Sequence, residues 1–382
     1  MRVAILVWSR IWGGLESHAV DLVSAAVDAG HEVKLACVGS ETAALYRARN
    51  LRATIEAIDP PPSTVTGWYR YFRSLRCDVC IFEKGTLHVG SLALDVAARL
   101  AFKAFVVIQQ LEPPVLGART ASRYFGGMVP GIGLWWYRQR TRGWLRSLMP
   151  VQTICISESV RSALSKGYGF ATRKMPIIPN GVDVVRFSPG PAVRARATGG
   201  TVIVATAARL VQEKGIDVAL RGFARALASS PVPMELHIAN DGAERQALEA
   251  LTDALGIREG VRFLGFQRDL TAFYRGVDIF LVPSRIEAQG LIVLEALSSG
   301  CLVVASSVGG IPEMITGPEL GILVPADDPD AIAEAILTLS RLPDDERQAR
   351  HAAGVRYVAD HFDSRTQCGA ILSLVQQLSG GA

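Results

Sequence analysis

One stretch of the chain, residues 284–315, limits the possible folds more than any other. Just before it, the apolar run VDIFLV at residues 277–282 indicates a buried strand that Pro283 ends, and residues 302–305 indicate the next strand. The apolar segment between them predicts a helix that begins near Gln289 and Gly290. A strand, a loop, a helix and a second strand form a βαβ unit, which places the chain in the α/β class.

Two glutamates of this stretch, Glu287 and Glu295, mark a candidate ligand site. Glu287 falls in the loop after the first strand, where open α/β sheets bind ligands, and Glu295 falls in the second turn of the helix. Unpaired N–H groups at the helix start suit a phosphate, whereas the carboxylates suit hydroxyl groups. A ligand with a central diphosphate and polyols at both ends fits both, which describes a sugar nucleotide. The alternative is two surface carboxylates on an ordinary amphipathic helix.

A resemblance favours the ligand site. Residues 284–315 resemble the E-x7-E segment of the retaining glycosyltransferases of family 4, also called group 1, including its Val-Gly-Gly-Ile-Pro-Glu loop. Further matches follow in the family's order: Gly13-Gly14-Leu15-Glu16, residues 178–183 (IPNGVD), and residues 208–210 (ARL) running into residues 213–215 (EKG). These matches span most of the 382 residues.

The resemblance implies the GT-B fold, in which two Rossmann-like parallel-sheet domains face each other across a cleft. It divides this chain into an acceptor-binding domain at residues 1–186 and a nucleotide-sugar-binding domain at residues 187–363. The last helix, in residues 364–382, is expected to cross back to the first domain. Residues 187–200, which are rich in Pro and Gly, are the predicted linker.

Individual roles also follow from matched positions. The resemblance implies that Glu287 holds hydroxyls of the transferred sugar and that Glu295 holds the ribose. Arg209 and Lys214 would neutralise the diphosphate, where charge develops as the glycosidic bond breaks. The remaining predicted contacts with the donor are Gln289, Gly290, Leu291, Gly309, Gly310 and Phe266, the last beside the nucleobase. Gly13 and Gly14, with Gln109 and Gln110, form the predicted acceptor and phosphate loops.

Two positions depart from the family pattern. Many relatives place a histidine near the transferred sugar, whereas this chain has Gln109 and Gln110 and no histidine nearby in sequence. Either a glutamine amide takes over the hydrogen bonding, or the alignment shifts by a residue or two. The usual Gly-Phe-Gly after the first glutamate is Ala288-Gln289-Gly290 here, so the donor sugar is not inferred from the family.

A basic, aromatic segment at residues 119–146 suggests a partner. It interleaves arginines with aromatic rings and contains no acidic residue; its arginines are Arg119, Arg123, Arg138, Arg140, Arg142 and Arg146. Tryptophan with arginine is typical of segments at an anionic membrane surface. The same composition also suits a core helix with a solvated arginine face, or nucleic-acid or protein binding. Residues 1–180 carry 22 Lys and Arg against 12 Asp and Glu, which favours an anionic partner.

We therefore predict a metal-independent, cofactor-free retaining hexosyltransferase that uses a UDP-, GDP- or ADP-sugar. Its predicted acceptor is the hydroxyl of a lipid-linked or cell-envelope glycan. The N-terminal apolar run is short enough for a strand rather than a signal peptide, and no apolar run is long enough to span a membrane. These features predict a cytoplasmic protein, peripheral on the inner membrane face, without a nucleic-acid partner. Two alternatives stay open: a nucleotide-sugar 2-epimerase of the same architecture, and a non-catalytic glycan- or lipid-binding relative.

Overall fold

The computed structural model describes residues 1–9, 13–85, 89–111, 145, 148–190, 200–267 and 269–380. The chain forms two compact units, the first made of Met1–Gly181 with Ser364–Ala382 and the second of Val182–Asp363. The sequence predicts a division after residue 186, whereas the units divide after Gly181. The reason is that Val182 donates its backbone N–H to the carbonyl of Phe362 at 2.8 Å, which ties it to the second unit.

The first unit contains six strands among its described residues. They are β1 (Arg2–Val7), β2 (Glu32–Val38), β3 (Thr54–Ile58), β4 (Val79–Lys84), β5 (Ala104–Gln109) and β6 (Gln152–Cys155). The helices along the same stretch are α1 (Gly14–Asp28), α2 (Ser40–Arg47), α3 (Val65–Leu75), α4 (Leu92–Ala101) and α5 (Glu158–Tyr168). Both β4 and β5 are buried along their whole length, as expected for central strands of a parallel sheet covered on both faces.

The second unit repeats this alternation. Its strands are β7 (Val202–Ala207), β8 (Met234–Ala239), β9 (Val261–Gly265), β10 (Ile279–Val282), β11 (Leu302–Ser306) and β12 (Ile322–Val324). Its helices are α6 (Ile216–Ser229), α7 (Arg245–Ala254), α8 (Thr271–Tyr274), α9 (Leu291–Ser298), α10 (Ile311–Met314), α11 (Pro329–Ser340) and α12 (Asp344–His361). The final helix, α13 (Ser364–Gly380), belongs to the first unit and packs against α1.

The two sheets share one topology. Among the described residues, the strand order is β3-β2-β1-β4-β5-β6 in the first sheet and β12-β11-β10-β7-β8-β9 in the second. Every recorded strand pair is parallel, and each sheet follows the order of a Rossmann-type fold. The strand order reverses between β1 and β4, and again between β7 and β10. The predicted α/β architecture of two Rossmann-like parallel sheets is therefore confirmed.

Each face of the second sheet has its own hydrophobic core. Successive side chains of β7 point to opposite faces, so Val202 and Val204 enter one core and Ala205 and Ala207 enter the other. Both cores are closed by helices, which leaves the loops at the carboxyl ends of the strands to carry polar groups. These loops hold most of the residues that the sequence marks as a donor site.

Two segments named in the sequence analysis, the basic aromatic segment and the linker, are only partly described by the structure. Residues 119–146, except Leu145, lie outside the described residues, as do residues 191–199 of the predicted linker. Among the helices in the described part of the chain, none combines the length and the apolar composition needed to cross a membrane.

Candidate functional site

The loops after β7 and β10 meet at the point where the strand order of the second sheet reverses. Lys214 lies in a short 3-10 turn, Gln212–Lys214, after β7, and Glu287 lies in the loop after β10. Their side chains form an ion pair between Nζ of Lys214 and Oε1 of Glu287. The hydroxyl of Ser284 donates to the same oxygen at 3.3 Å. Both bonds fall on Oε1, so Oε2 of Glu287 carries no hydrogen bond from any residue that the structure describes.

Two glycines allow these loops to pack without space between them. A Cβ at Gly215 would stand 2.1 Å from the carbonyl oxygen of Pro283, and a Cβ at Gly309 would stand 1.5 Å from that of Glu287. Gly215 has a φ of +63° and Gly309 a φ of +55°, in the left-handed region that glycine adopts without a steric penalty. The predicted donor residues Lys214, Glu287 and Gly309 are thus brought together by close backbone contact.

The N-terminus of α9 completes this group of loops. Gly290 is its N-cap, with a φ of +89°, and Leu291 is the first helical residue. The backbone N–H of Gly310 donates to the carbonyl of Ala288 at 3.1 Å, so the Gly309–Gly310 turn lies against the same loop. The side chain of Gln289, by contrast, is buried. The structure places Gly290, Leu291, Gly309 and Gly310 around Glu287, and their contacts with a donor stay a prediction.

Glu295, in the second turn of α9, has a partner that the sequence analysis does not identify. The hydroxyl of Tyr274 donates to its Oε2 at 2.8 Å. Tyr274 is fully buried, and burial first, then the charge of Glu295, raises the pKa of its phenol well above the ordinary value. The phenol therefore stays protonated and acts as a fixed donor that orients the carboxylate.

Two predicted donor residues are exposed. The side chain of Arg209 is exposed after β7 and forms no ion pair with any residue in the described ranges. Phe266, directly after the edge strand β9, has 75% of its surface exposed. The guanidinium of Arg209 and the ring of Phe266 are therefore accessible to a ligand, and their contacts with the donor stay a prediction.

In the first unit, the glycine turn before α1 is held by the helix itself. The backbone N–H of Gly13 donates to Oε2 of Glu16 at 2.7 Å, which is the half of a capping box that does not need an N-cap side chain. Glu16 is buried, and burial raises the pKa of its carboxyl group. The amide of Gly13 is therefore occupied, so its predicted contact with a phosphate would require Glu16 to move. For Gly14, the first residue of α1, that contact stays a prediction.

A buried polar cluster lies at the carboxyl ends of β4 and β5. His18 of α1 forms a 2.8 Å contact between Nδ1 and Oε1 of Glu83. The Nε2 of Gln110 donates to Oε2 of Glu83 at 2.8 Å, and Nδ2 of Asn180 donates to Oε1 of Gln110 at 2.6 Å. Burial opposes protonation of His18, but the charge of Glu83 overcomes it and raises the pKa of the imidazole well above its ordinary value.

The sequence has no histidine near Gln109, but the buried cluster contains one, His18. In the folded unit His18 approaches Gln110, with 3.2 Å between Nδ1 and Nε2, but the ring is buried. Gln109 is also buried and donates its amide to the carbonyls of Gly85 and Leu111, each at 2.9 Å. Either glutamine would have to exchange these internal bonds before it could contact a substrate.

Sequence reasoning missed three side chains that shape these sites: Arg285, Tyr274 and His18. Charged residues in a buried strand were the available signal for the first unit, because Glu83 and Lys84 are the last two residues of the fully buried β4. No comparable signal pointed to Tyr274, which stands among ordinary core residues. Within the described residues, no group of three or more His, Cys, Asp or Glu is placed to hold a metal ion.

Two family models match separate parts of this chain. Residues 12–186 match the family model described as Glycosyltransferase Family 4, and residues 201–341 match the one described as Glycosyl transferases group 1. A D-inositol 3-phosphate glycosyltransferase of Corynebacterium jeikeium is 36% identical over 230 residues, which are 56% of this chain and 54% of the relative. The match therefore spans about half the length of that relative.

Two further proteins are similar. A GDP-mannose-dependent alpha-(1-6)-phosphatidylinositol monomannoside mannosyltransferase of Mycolicibacterium smegmatis is 31% identical over 235 residues, 58% of this chain and 60% of the relative. Anabaena HepE, solved in complex with UDP, superposes with a TM-score of 0.78 at 18% identity, covering 99% of this chain and all of that one. At this identity the likeness to HepE shows the fold alone.

Proposed function

We propose, from the premise that the chain belongs to the glycosyltransferases of family 4 and group 1, that it transfers a sugar from a nucleotide-sugar donor to an acceptor hydroxyl. The observation that carries the proposal is the pairing of Lys214 with Glu287 at the strand-order reversal of the second sheet. Open α/β sheets bind ligands at this position. A cation and a carboxylate side by side there suit a diphosphate next to a sugar.

Different loops would bind different parts of the donor, according to the charge that each loop carries. Lys214 and the exposed Arg209 supply positive charge for the diphosphate, together with the N–H groups that begin α9. Glu287 offers its Oε2 to hydroxyls of the transferred sugar, since Oε1 is already occupied by Lys214 and Ser284. Glu295, oriented by Tyr274, holds the ribose hydroxyls, and Phe266 covers the base. Gln289 supports the loop from its buried position.

The chemical step follows from this division. Negative charge grows on the leaving phosphate as the bond to the anomeric carbon breaks, and the cations of Lys214 and Arg209 stabilise it. We propose that the acceptor hydroxyl attacks from the same face and gives its proton to that leaving phosphate. The new glycosidic bond then keeps the donor's anomeric configuration, and the nucleoside diphosphate leaves with the proton. Neither a metal ion nor a cofactor is part of this proposal.

A basic surface in the first unit supports an acceptor at an anionic membrane. Helices α3 and α4 pack together, and the ring centroid of Phe72 in α3 lies 5.3 Å from that of Phe102, the residue after α4. Their outer side exposes cations and apolar groups: Tyr69, Arg70, Arg73, Arg99, Leu100 and Lys103 after α4. Asp95, the one acidic residue of these two fully described helices, is buried and bound to Lys84. Each basic residue near anionic lipid contributes on the order of 1 kcal/mol to binding.

Names of relatives point to the same acceptor class. One relative is named for inositol phosphate and another for a phosphatidylinositol mannoside. We therefore propose a phosphorylated polyol or lipid-linked glycan as the acceptor, used by a protein that associates with the inner face of the cytoplasmic membrane. The basic, aromatic composition of residues 119–146 favours the same proposal.

The experiment that tests the function is nucleotide release from a panel of UDP-, GDP- and ADP-sugars, with and without anionic vesicles that carry a lipid extract. Release with one donor, increased by the extract, is the expected result, and a product with the donor's anomeric configuration would support retention. Isomerised donor without acceptor dependence would indicate the epimerase instead. Absence of any turnover, with donor binding intact, would indicate the non-catalytic relative.

A further inference from the structure

Arg285 connects three separate loops of the second unit through one guanidinium group. Its Nη1 and Nη2 donate to the two carboxylate oxygens of Asp217, at 2.9 and 2.8 Å. Its Nη1 also donates to the backbone carbonyl of Gln212 at 2.6 Å, and its Nε donates to Asp327 at 2.6 Å. Four of the five donors of the guanidinium are therefore engaged at once.

Two partners of Arg285 lie close to Lys214 in sequence, and the third lies after β12. Gln212 opens the 3-10 turn that carries Lys214, and Asp217 lies in the first turn of α6 directly after it. Asp327 follows β12 with a φ of +60°, a backbone conformation that only short polar residues adopt readily apart from glycine. Arg285 itself stands two residues before Glu287. The guanidinium thus joins the loop of Lys214 to the loop of Glu287.

The backbone repeats the same connection. The N–H of Arg285 donates to the carbonyl of Glu213 at 2.8 Å, beside Lys214. Burial would raise the pKa of Asp217, yet the hydrogen bonds and charge of Arg285 outweigh it and lower that pKa, so the carboxylate stays ionised. In turn, the hydrogen bond to Asp217 raises the pKa of Arg285 above its ordinary value.

We propose that Arg285 is a positioning residue, which fixes the distance between Lys214 and Glu287 and thereby the place of the donor diphosphate. This inference rests on the proposed function. This role requires the shape of the arginine side chain as well as its charge. The planar guanidinium donates two parallel bonds to Asp217 while its Nε donates to Asp327. A lysine ammonium at the same position carries the charge but has three donors at a single point.

The test is Arg285→Lys, measured for binding of the nucleoside diphosphate and the nucleoside monophosphate of the active donor. We expect diphosphate affinity to fall about 10-fold or more and monophosphate affinity to change less than 3-fold, because the base and ribose contacts do not depend on this turn. The kcat for donor turnover should fall as well, since Glu287 moves relative to the diphosphate. Equal losses for both nucleotides, or no loss, would overturn the inference.

A matched control separates positioning from general stabilisation. Arg225 and Asp330 form another arginine–aspartate pair in the same unit, with 2.6 Å between Nη1 and Oδ1, and both side chains are largely exposed. Arg225→Lys should leave both nucleotide affinities and kcat unchanged. A diphosphate-specific loss in this variant too would show that the effect of Arg285→Lys is not local to the turn.

A milder variant keeps the test usable if Arg285→Lys does not fold. Asp327→Asn removes one partner that is more than half exposed, and it should reproduce the diphosphate-specific loss at a smaller magnitude. If Arg285→Lys folds, the double variant should lose less than the product of the two single effects, because both act through one guanidinium. Fully multiplicative effects would contradict a shared role. If no donor is turned over but diphosphate binding responds as described, the proposed function fails and the positioning role stands.

Discussion

Gly309→Ala tests the packing of the donor site most severely. A Cβ at Gly309 would lie 1.5 Å from the carbonyl oxygen of Glu287, whereas ordinary contact begins near 3.4 Å. The loop of Glu287 must therefore retreat by roughly 2 Å, and a displacement of about 1 Å in a site can already reduce the rate about 100-fold. The φ of +55° adds a backbone strain of about 1–2 kcal/mol for alanine.

We expect Gly309→Ala to reduce kcat/KM for the donor by about 100-fold or more, a loss of about 2.7 kcal/mol in transition-state stabilisation. The assay is nucleotide release at donor concentrations well below KM, with thermal unfolding measured in parallel. Because the variant also loses stability, its activity must be compared under conditions where it is fully folded.

Gly256→Ala is the matched control, because it separates strain from overlap. Gly256 lies in the same unit with a φ of +68°, and a Cβ there would have no atom within 4 Å. This control should lose about 1–2 kcal/mol of stability and keep its activity. If Gly309→Ala retained kcat/KM within about 3-fold of the wild type, the packing of Glu287 against Gly309 would not matter for the donor site.

Three further predictions address other parts of the molecule. Tyr274→Phe should raise the donor KM about 10-fold with kcat nearly unchanged, because Glu295 loses the phenol that orients it; an unchanged KM would contradict this. Turnover should be insensitive to EDTA, because protein cations carry the diphosphate, and loss of turnover that Mg²⁺ restores would refute that. Hydrogen bonds from Arg2 lower the pKa of Asp78 from 3.8 to about 2, so this pair stabilises the fold above pH 3.8 and ceases to do so as the pH falls to about 2. Arg2→Gln should therefore lower Tm at neutral pH and match the wild type well below pH 2 in calorimetry, and a difference that persists there would contradict the linkage.

The sequence predicts the central strands of the second unit well, because β7, β10 and β11 consist almost entirely of apolar residues. The apolar runs at residues 277–282 and 302–305 predict two strands, and the bounds of β10 and β11 agree with them to within two residues. The helix of the E-x7-E stretch begins at Leu291, next to its predicted start, because Gly290 adopts a left-handed conformation that ends the preceding loop. In the first unit β3 has no comparable apolar run, because Ile58 is its one buried residue.

The site was harder to predict than the fold. Sequence motifs identified Lys214 and Glu287 separately, but their ion pair depends on which strands are neighbours in the sheet, and no local pattern encodes that order. The fourfold bonding of Arg285 has the same origin, because its partners lie 42 to 73 residues away in sequence. Burial explains why Gln109 and Gln110 do not lie where the sequence predicts substrate contacts. They resemble exposed loop residues in the sequence, yet they stand at the end of a fully buried strand, where their amides must bond internally.

The most direct test of the account is a crystal structure of the protein with the nucleoside diphosphate of its active donor. We predict the diphosphate at the carboxyl ends of β7 and β10, within hydrogen-bonding distance of Lys214 and of the N–H groups at the start of α9, with the ribose on Glu295. Density for the nucleotide at the first sheet, or at the second sheet away from Lys214 and Glu287, would contradict the assignment of the donor site.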